Sequence, residues 1–277
     1  METRVVEGGG RLRLHVREWG NPEGPAILLI HGWSQSHLSW EYQYGSDLLA
    51  DEFRLVALDN RGHGMSDKPL EAEHYTDERL WADDVAAVIE NLRLDRPVLV
   101  GWSYGGFIIS DYVRAYGEGS VSGINFVCAA VMITENFDNI GPGFLENAPD
   151  ASGEDLPTNI AAMRRFIRAC TAEPMSGEDW EKALCYNMVV PPQVRGASVT
   201  RRIDSDDVLS RMTLPVLMTH GDRDTVVLPS MGQHILDVCP TAEASWYEGI
   251  GHAPFLEDPE RFNRELADFT RRAGGSV

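Results

Sequence analysis

Five residues, Gly101-Trp102-Ser103-Tyr104-Gly105, constrain this chain more than any others. A G-x-S-x-G run suits a serine on a strand-to-helix turn too tight for larger flanking side chains. Such a turn lifts the hydroxyl clear of the sheet, where a base on another loop can reach it. The preceding apolar run, Pro97-Val98-Leu99-Val100, reads as a buried parallel strand, and Gly106 through Val113 as the packed start of a helix. The motif alone is short enough to be an ordinary turn. Strand, turn and helix together make Ser103 a candidate nucleophile.

A serine hydroxyl has too high a pKa to attack at neutral pH. It needs an imidazole to take its proton, and the imidazole needs a carboxylate to fix its tautomer. Both are present downstream. A second apolar strand, Leu214 to Thr219, leads into His220-Gly221-Asp222-Arg223-Asp224, and Gly249-Ile250-Gly251-His252-Ala253-Pro254-Phe255 follows later. His252 sits between Gly251 and Ala253-Pro254, the setting of a tight loop presenting a base. His31, His63 and His220 lack that setting and read as structural. Asp222 and Asp224 both follow the strand, and either could supply the carboxylate; Arg223 between them reads as a surface ion-pair partner. The order serine, acid, histidine differs from that of chymotrypsin-like and subtilisin-like enzymes. Negative charge developing on the substrate oxygen needs two preorganised N–H donors. The backbone N–H groups of Tyr104, just after the serine, and of Trp33, just after His31-Gly32, are the candidates.

Elsewhere, strand-like segments at 11–18, 26–31, 53–59, 96–101, 121–128, 214–220 and 243–248 alternate with helical patterns at 77–93, 103–116 and 257–272. That alternation predicts right-handed crossovers and a mostly parallel sheet, with an antiparallel hairpin first. In such sheets ligands bind at the carboxyl ends of strands, where Trp33, Ser103, Asp224 and His252 all fall. The alternation fails between about 134 and 207, a proline-rich stretch with helical patterns at 158–172 and 177–187. We read 1–133 and 208–277 as the core and 134–207 as a small, mostly helical cap inserted after strand six. Met163, Phe166, Trp180 and Tyr186 in the cap, with Trp102 and Phe255 in the core, are the candidate substrate-pocket residues. Aromatic and methionine side chains at helical spacing more often pack an element on itself.

The 277 residues are 43% hydrophobic, enough for one large α/β domain with an insertion. The 24 Lys and Arg against 43 Asp and Glu leave a formal charge of −19. Such a surface disfavours nucleic acid and anionic membranes as partners. The four cysteines show neither C-x-x-C pairing nor zinc spacing, so reduced thiols are expected. No segment has the apolar length of a signal core or a membrane span, so a cytoplasmic protein is expected. There is no G-x-G-x-x-G after a strand, no H-E-x-x-H and no P-loop, so neither cofactor nor metal is expected. Homo-oligomerisation is left open.

These motifs resemble the α/β-hydrolase family from about Leu12 to Phe269. Ile27-Leu28-Leu29-Ile30-His31-Gly32-Trp33 looks like its third strand and oxyanion loop, and Asp59-Asn60-Arg61-Gly62-His63-Gly64-Met65-Ser66 resembles its D-x-R-G-x-G-x-S turn. The run from His31 to Trp33 and on through Ser39-Trp40-Glu41 is similar to small serine esterases and cofactor-free haloperoxidases or perhydrolases. The resemblance implies a mostly parallel sheet flanked by helices. It puts the catalytic acid at the last position of Gly221-Asp222-Arg223-Asp224, hence Asp224. A serine rather than an aspartate at the elbow sets the chain apart from haloalkane dehalogenases and epoxide hydrolases. The expected activity is hydrolysis of small apolar esters through an acyl-serine. Lactone hydrolysis, C–C bond hydrolysis, amide hydrolysis and perhydrolysis compete with the same triad, and a small-molecule receptor is the alternative of another class.

Overall fold

The computed structural model describes residues 2–133, 135–201 and 203–275. Ten strands form among them: β1 (Glu2–Glu7), β2 (Arg13–Gly20), β3 (Ala26–Ile30), β4 (Arg54–Leu58), β5 (Val98–Trp102), β6 (Gly123–Val127), β7 (Met132–Ile133), β8 (Ile203–Asp204), β9 (Val216–Gly221) and β10 (Ala242–Tyr247). Eight make one sheet in the order β1-β2-β4-β3-β5-β6-β9-β10. The pairings of β1 with β2 and of β2 with β4 are antiparallel, and the rest are parallel. β3, β5, β6 and β9 are buried along their whole length, which accounts for their unbroken apolar sequences.

β1 carries no strand signal in our sequence reading. Only Val6 of its six residues is buried, so no apolar alternation betrays it. Its antiparallel ladder to β2, from Glu2↔Glu18 to Glu7↔Arg13, creates the strand, an edge effect that sequence pattern does not carry.

Helices cover both faces. On one, Glu78–Asn91 starts at Asp77, whose side chain accepts from the Arg79 N–H, and buries Trp81, Val85, Val88 and Ile89. Gly105–Tyr116 lies beside it. On the other, Pro259–Gly274 starts at Asp258 and buries Phe262, Leu266 and Phe269. The expected helix at 257–272 is thus two pieces, because Pro254–Glu257 forms a separate turn before it. Between β6 and β9 the chain leaves the sheet. Leu156–Ala169 and Gly177–Met188 form where the apolar spacing places helices, and Pro142–Leu145, Ala148–Ala151 and Pro192–Ser198 add short ones. The two-residue ladder of β7 with β8 brings the two ends of this excursion together. Its buried residues, including Met163, Phe166, Ile167 and Val194, join the core on one face of the sheet rather than forming a core apart. Among the described residues no helix is long and apolar enough to cross a membrane.

Candidate active site

Because β3, β5, β6 and β9 run parallel, the segments that leave their carboxyl ends meet at one edge. Ser103 follows β5 with φ at +55°, in the left-handed region that a serine occupies only under constraint. The constraint is visible. The Ser103 N–H donates to Val127 O, its carbonyl accepts from Ala130, and Gly105 lies so close to β3 that a Cβ there would sit 2.6 Å from Ile30 O. The loop after β3 presses against the serine: a Cβ on Gly32 would fall 3.0 Å from Ser103 Cβ. Among the described residues, neither the Trp33 nor the Tyr104 backbone N–H has an acceptor, and both residues line a cavity with Ser103.

His252 and Asp224 are both buried, and His252 Nδ1 donates to Asp224 Oδ2 at 2.6 Å. Asp224 Oδ1 accepts from the N–H groups of Val226 and Val227 at 2.8 and 3.0 Å. Burial pushes this carboxyl up, but the rings of His252 and His220 outweigh burial and hold it well below the usual carboxylate range. The Trp102 indole donates to His252 O at 2.8 Å, pinning the histidine loop to the strand end that carries Ser103. Glu257 grips that loop from behind, accepting from Gly251 and Ala172. Asp222 is exposed, and its Oδ1 accepts from the Gly249 N–H at 2.7 Å rather than pairing with Arg223.

His220 does more than close a strand. Its Nε2 lies 3.0 Å from Val227 O and 3.3 Å from Asp224 Oδ2, so the carboxylate is shared by two imidazoles. His31 and His63 buttress the loop of Trp33. The Asn60 N–H donates to His31 Nε2 and the Ser34 N–H to His63 Nε2, which fixes each ring's proton on Nδ1, where it meets Gly32 O and Arg61 O. Burial pushes His31 down to about 4 and His63 down to about 3. A histidine depressed in the folded state adds stability above its unfolded pKa and loses it as pH falls toward the folded value. Acidification from about pH 6.5 to 4 should therefore cost on the order of 3 kcal/mol per ring. We expect the melting temperature to fall across that window, and His63→Gln to flatten the slope; an unchanged slope would remove His63 from the acid response.

The turn Asp59 to Ser66 is the second buttress. Asp59 accepts from the His15 and His37 rings, each at 2.9 Å, and from the N–H groups of His37 and Met65. Arg61 binds the buried Asp84 through two nitrogens. Among the described residues, two clusters have the residue types of metal ligands, His15-His37-Asp59 and Cys128-His220-Asp224. In the first, the ring nitrogens facing Asp59 stand at hydrogen-bond distance and are committed as donors. The second contains the candidate acid itself. Cys128 is a free, buried thiol, as are Cys170 and Cys239.

The cavity lined by Ser103 is apolar and small, about 30 Å³. Its walls are Phe144, Ile133, Ile140, Val199, Val226 and Val227, beside Trp33, Tyr104, Phe107 and Ala130. None of the six expected pocket residues is among them. Met163 and Phe166 are buried in the core, Phe166 packing edge-on to Trp33 at 5.0 Å. Trp180 lies under Arg168, 4.7 Å from its guanidinium carbon. Trp102, Tyr186 and Phe255 line a different cavity on the histidine's flank. Val226 and Val227 were within reach of sequence reading, two and three residues after Asp224; Phe144 sits in a four-residue helix too short for a periodic signal. Arg195 gave no signal at all. It is buried and, among the described residues, has no carboxylate partner; its guanidinium bonds to Ala151 O, Val190 O and Asn159, and its own carbonyl accepts the Trp33 indole N–H at 3.0 Å.

Residues 27–265 match the alpha/beta hydrolase family, and the chain belongs to it. An esterase from Rhodococcus sp. ECU1013 is similar at 36% identity, with 98% of this chain and 99% of the other covered and a TM-score of 0.91. A Burkholderia cenocepacia protein assigned as an aryl esterase matches at 36% identity over 98% and 99% of the chains, with a TM-score of 0.94. The bifunctional esterase/perhydrolase of Acinetobacter calcoaceticus is 28% identical over 92% of this chain and 95% of its own. Relatives bearing esterase and perhydrolase names thus accompany the family match, in line with the narrower resemblance noted above.

Proposed function

We propose that this protein is a serine hydrolase that cleaves carboxylic esters of small apolar acyl groups. Ser103 Oγ attacks the ester carbonyl while His252 takes its proton. Asp224 holds His252 with its proton on Nδ1 and stabilises the imidazolium. The N–H groups of Trp33 and Tyr104 receive the oxyanion. The imidazolium protonates the departing alcohol, and water then cleaves the acyl-serine by the same steps in reverse. The observation that carries this reading is the buried 2.6 Å Asp224–His252 bond, on a loop tied through the Trp102 indole to the strand end that holds Ser103 at positive φ. The Acinetobacter relative's name supports hydrogen peroxide as a second acceptor, which would yield a peracid. The helical excursion 134–207 acts as the lid, contributing Phe144 and Val199 to the acyl cavity, and the enzyme works in the cytoplasm.

A panel of p-nitrophenyl esters from acetyl to octanoyl, run beside lactones, tests this. Short acyl esters should be preferred, since the cavity at Ser103 is small and apolar. Phe144→Ala should raise the octanoyl-to-acetyl ratio of kcat/KM by about tenfold, the lower end of what one methylene is worth in an apolar pocket. An unchanged ratio would remove Phe144 from the acyl site, and lactones turned over in preference to every ester would replace the proposed substrate class.

A further inference from the structure

We propose that the second cavity, on the His252 flank, takes the leaving group, and that its charged rim selects neutral aromatic alcohols over anionic ones. This rests on the serine-hydrolase reading. In that chemistry the Ser103 Oγ–carbonyl bond forms, the carbonyl–alkoxide bond breaks, and the proton held by His252 passes to the departing oxygen. The leaving group must therefore lie on the histidine's side and the acyl chain on the other. Two cavities match this division. The apolar one is lined by Ser103 and both residues carrying the unpaired N–H groups. The other is lined by Trp102, one residue before the serine, and Ala253, one residue after the histidine.

Its interior suits an aromatic alcohol. Trp102 and Phe255 meet edge-to-face at 4.8 Å, Ile167 and Met175 complete an apolar wall, and Gln35 and Ser39 offer polar groups. It too offers only about 30 Å³ of free space, so an aromatic group fits only when its mouth widens. Four side chains tie that mouth. Lys182, on the helix Gly177–Met188, pairs with Glu41 of the core, and the Tyr42 hydroxyl donates to Asp179 Oδ2 at 3.1 Å. Two carboxylates against one ammonium leave the rim with an excess negative charge, which repels an anion passing through.

The test uses the acetate esters of 3-hydroxybenzamide and 3-hydroxybenzoate, each kcat/KM divided by the ester's own rate of hydroxide hydrolysis. Wild type should favour the neutral ester by about three- to tenfold at low salt, for one unit of charge at a solvated rim. Glu41→Gln should narrow that preference and Lys182→Gln should widen it. Both substitutions break the same ion pair, so a merely loosened mouth would move both variants in the same direction. Opposite shifts, shrinking at high ionic strength and leaving acyl-length preference untouched, support the assignment. Shifts of the same sign, or none, overturn it while leaving the triad intact. Full activity in Ser103→Ala would overturn the triad and this inference together.

Discussion

Ser103→Ala is expected to lower kcat on p-nitrophenyl acetate by on the order of 10⁶, the cost of losing the nucleophile in a comparable triad. The change deletes one oxygen. Alanine tolerates φ of +55° no better and no worse than serine, and the elbow is held by the backbone of Val127 and Ala130, so the melting temperature should stay within about 2 °C. An organophosphate should add its mass to the peptide carrying Ser103 and to no other. Residual activity above about one percent of wild type, with contamination excluded, would remove Ser103 as the nucleophile.

Asp224→Asn should cost about 10⁴ in kcat, because an amide cannot stabilise the imidazolium and can impose the wrong tautomer on His252. Asp222→Asn should cost little, since Asp222 is exposed and accepts from the Gly249 N–H, a bond that an amide oxygen can also accept. Measuring kcat for both on one activated ester, with melts to exclude unfolding, separates them. A crippled Asp222→Asn beside a normal Asp224→Asn would move the acid, and two normal variants would place it elsewhere. The electrostatics sharpen the contrast. Asp224 is held well below the ordinary carboxylate range, so its stabilising charge persists as pH falls until that low value is reached. The imidazoles of His31 and His63 protonate first, and the loop carrying Trp33 should loosen while Asp224 is still ionised.

The order of Ser103, Asp224 and His252, and the strand before each, were legible because each signal is local. A buried parallel strand is a continuous apolar run, and a tight turn beside a packed strand demands glycine, as Gly32 and Gly105 show. The helices Glu78–Asn91, Leu156–Ala169 and Gly177–Met188 declared themselves by apolar spacing. The choice between Asp222 and Asp224 was a different matter. Two carboxylates two residues apart look alike in sequence, and the family pattern rather than their own chemistry favoured the second. In the structure one is buried against His252 and the other faces solvent.

The lining of the cavity at Ser103 was decided by tertiary structure alone, whereas Trp102, Tyr186 and Phe255, expected as pocket residues, line the second cavity. Met163 and Phe166 have the bulk and the spacing of pocket residues, yet that same spacing turns them into the core, where apolar area is best removed from water. The cavity at Ser103 takes Phe144, Val199 and Ile140 instead, from segments far apart in the chain. Arg195 holds the Trp33 indole from 162 residues away, and His220 reaches Asp224 only because the loop after β9 folds back on the strand. Periodicity and turn chemistry act over a few residues, so the sequence by itself determined the parallel strands, the elbow and the order of the candidate reacting groups. Which side chains surround those groups depends on packing between elements, and that is settled only when the whole chain closes.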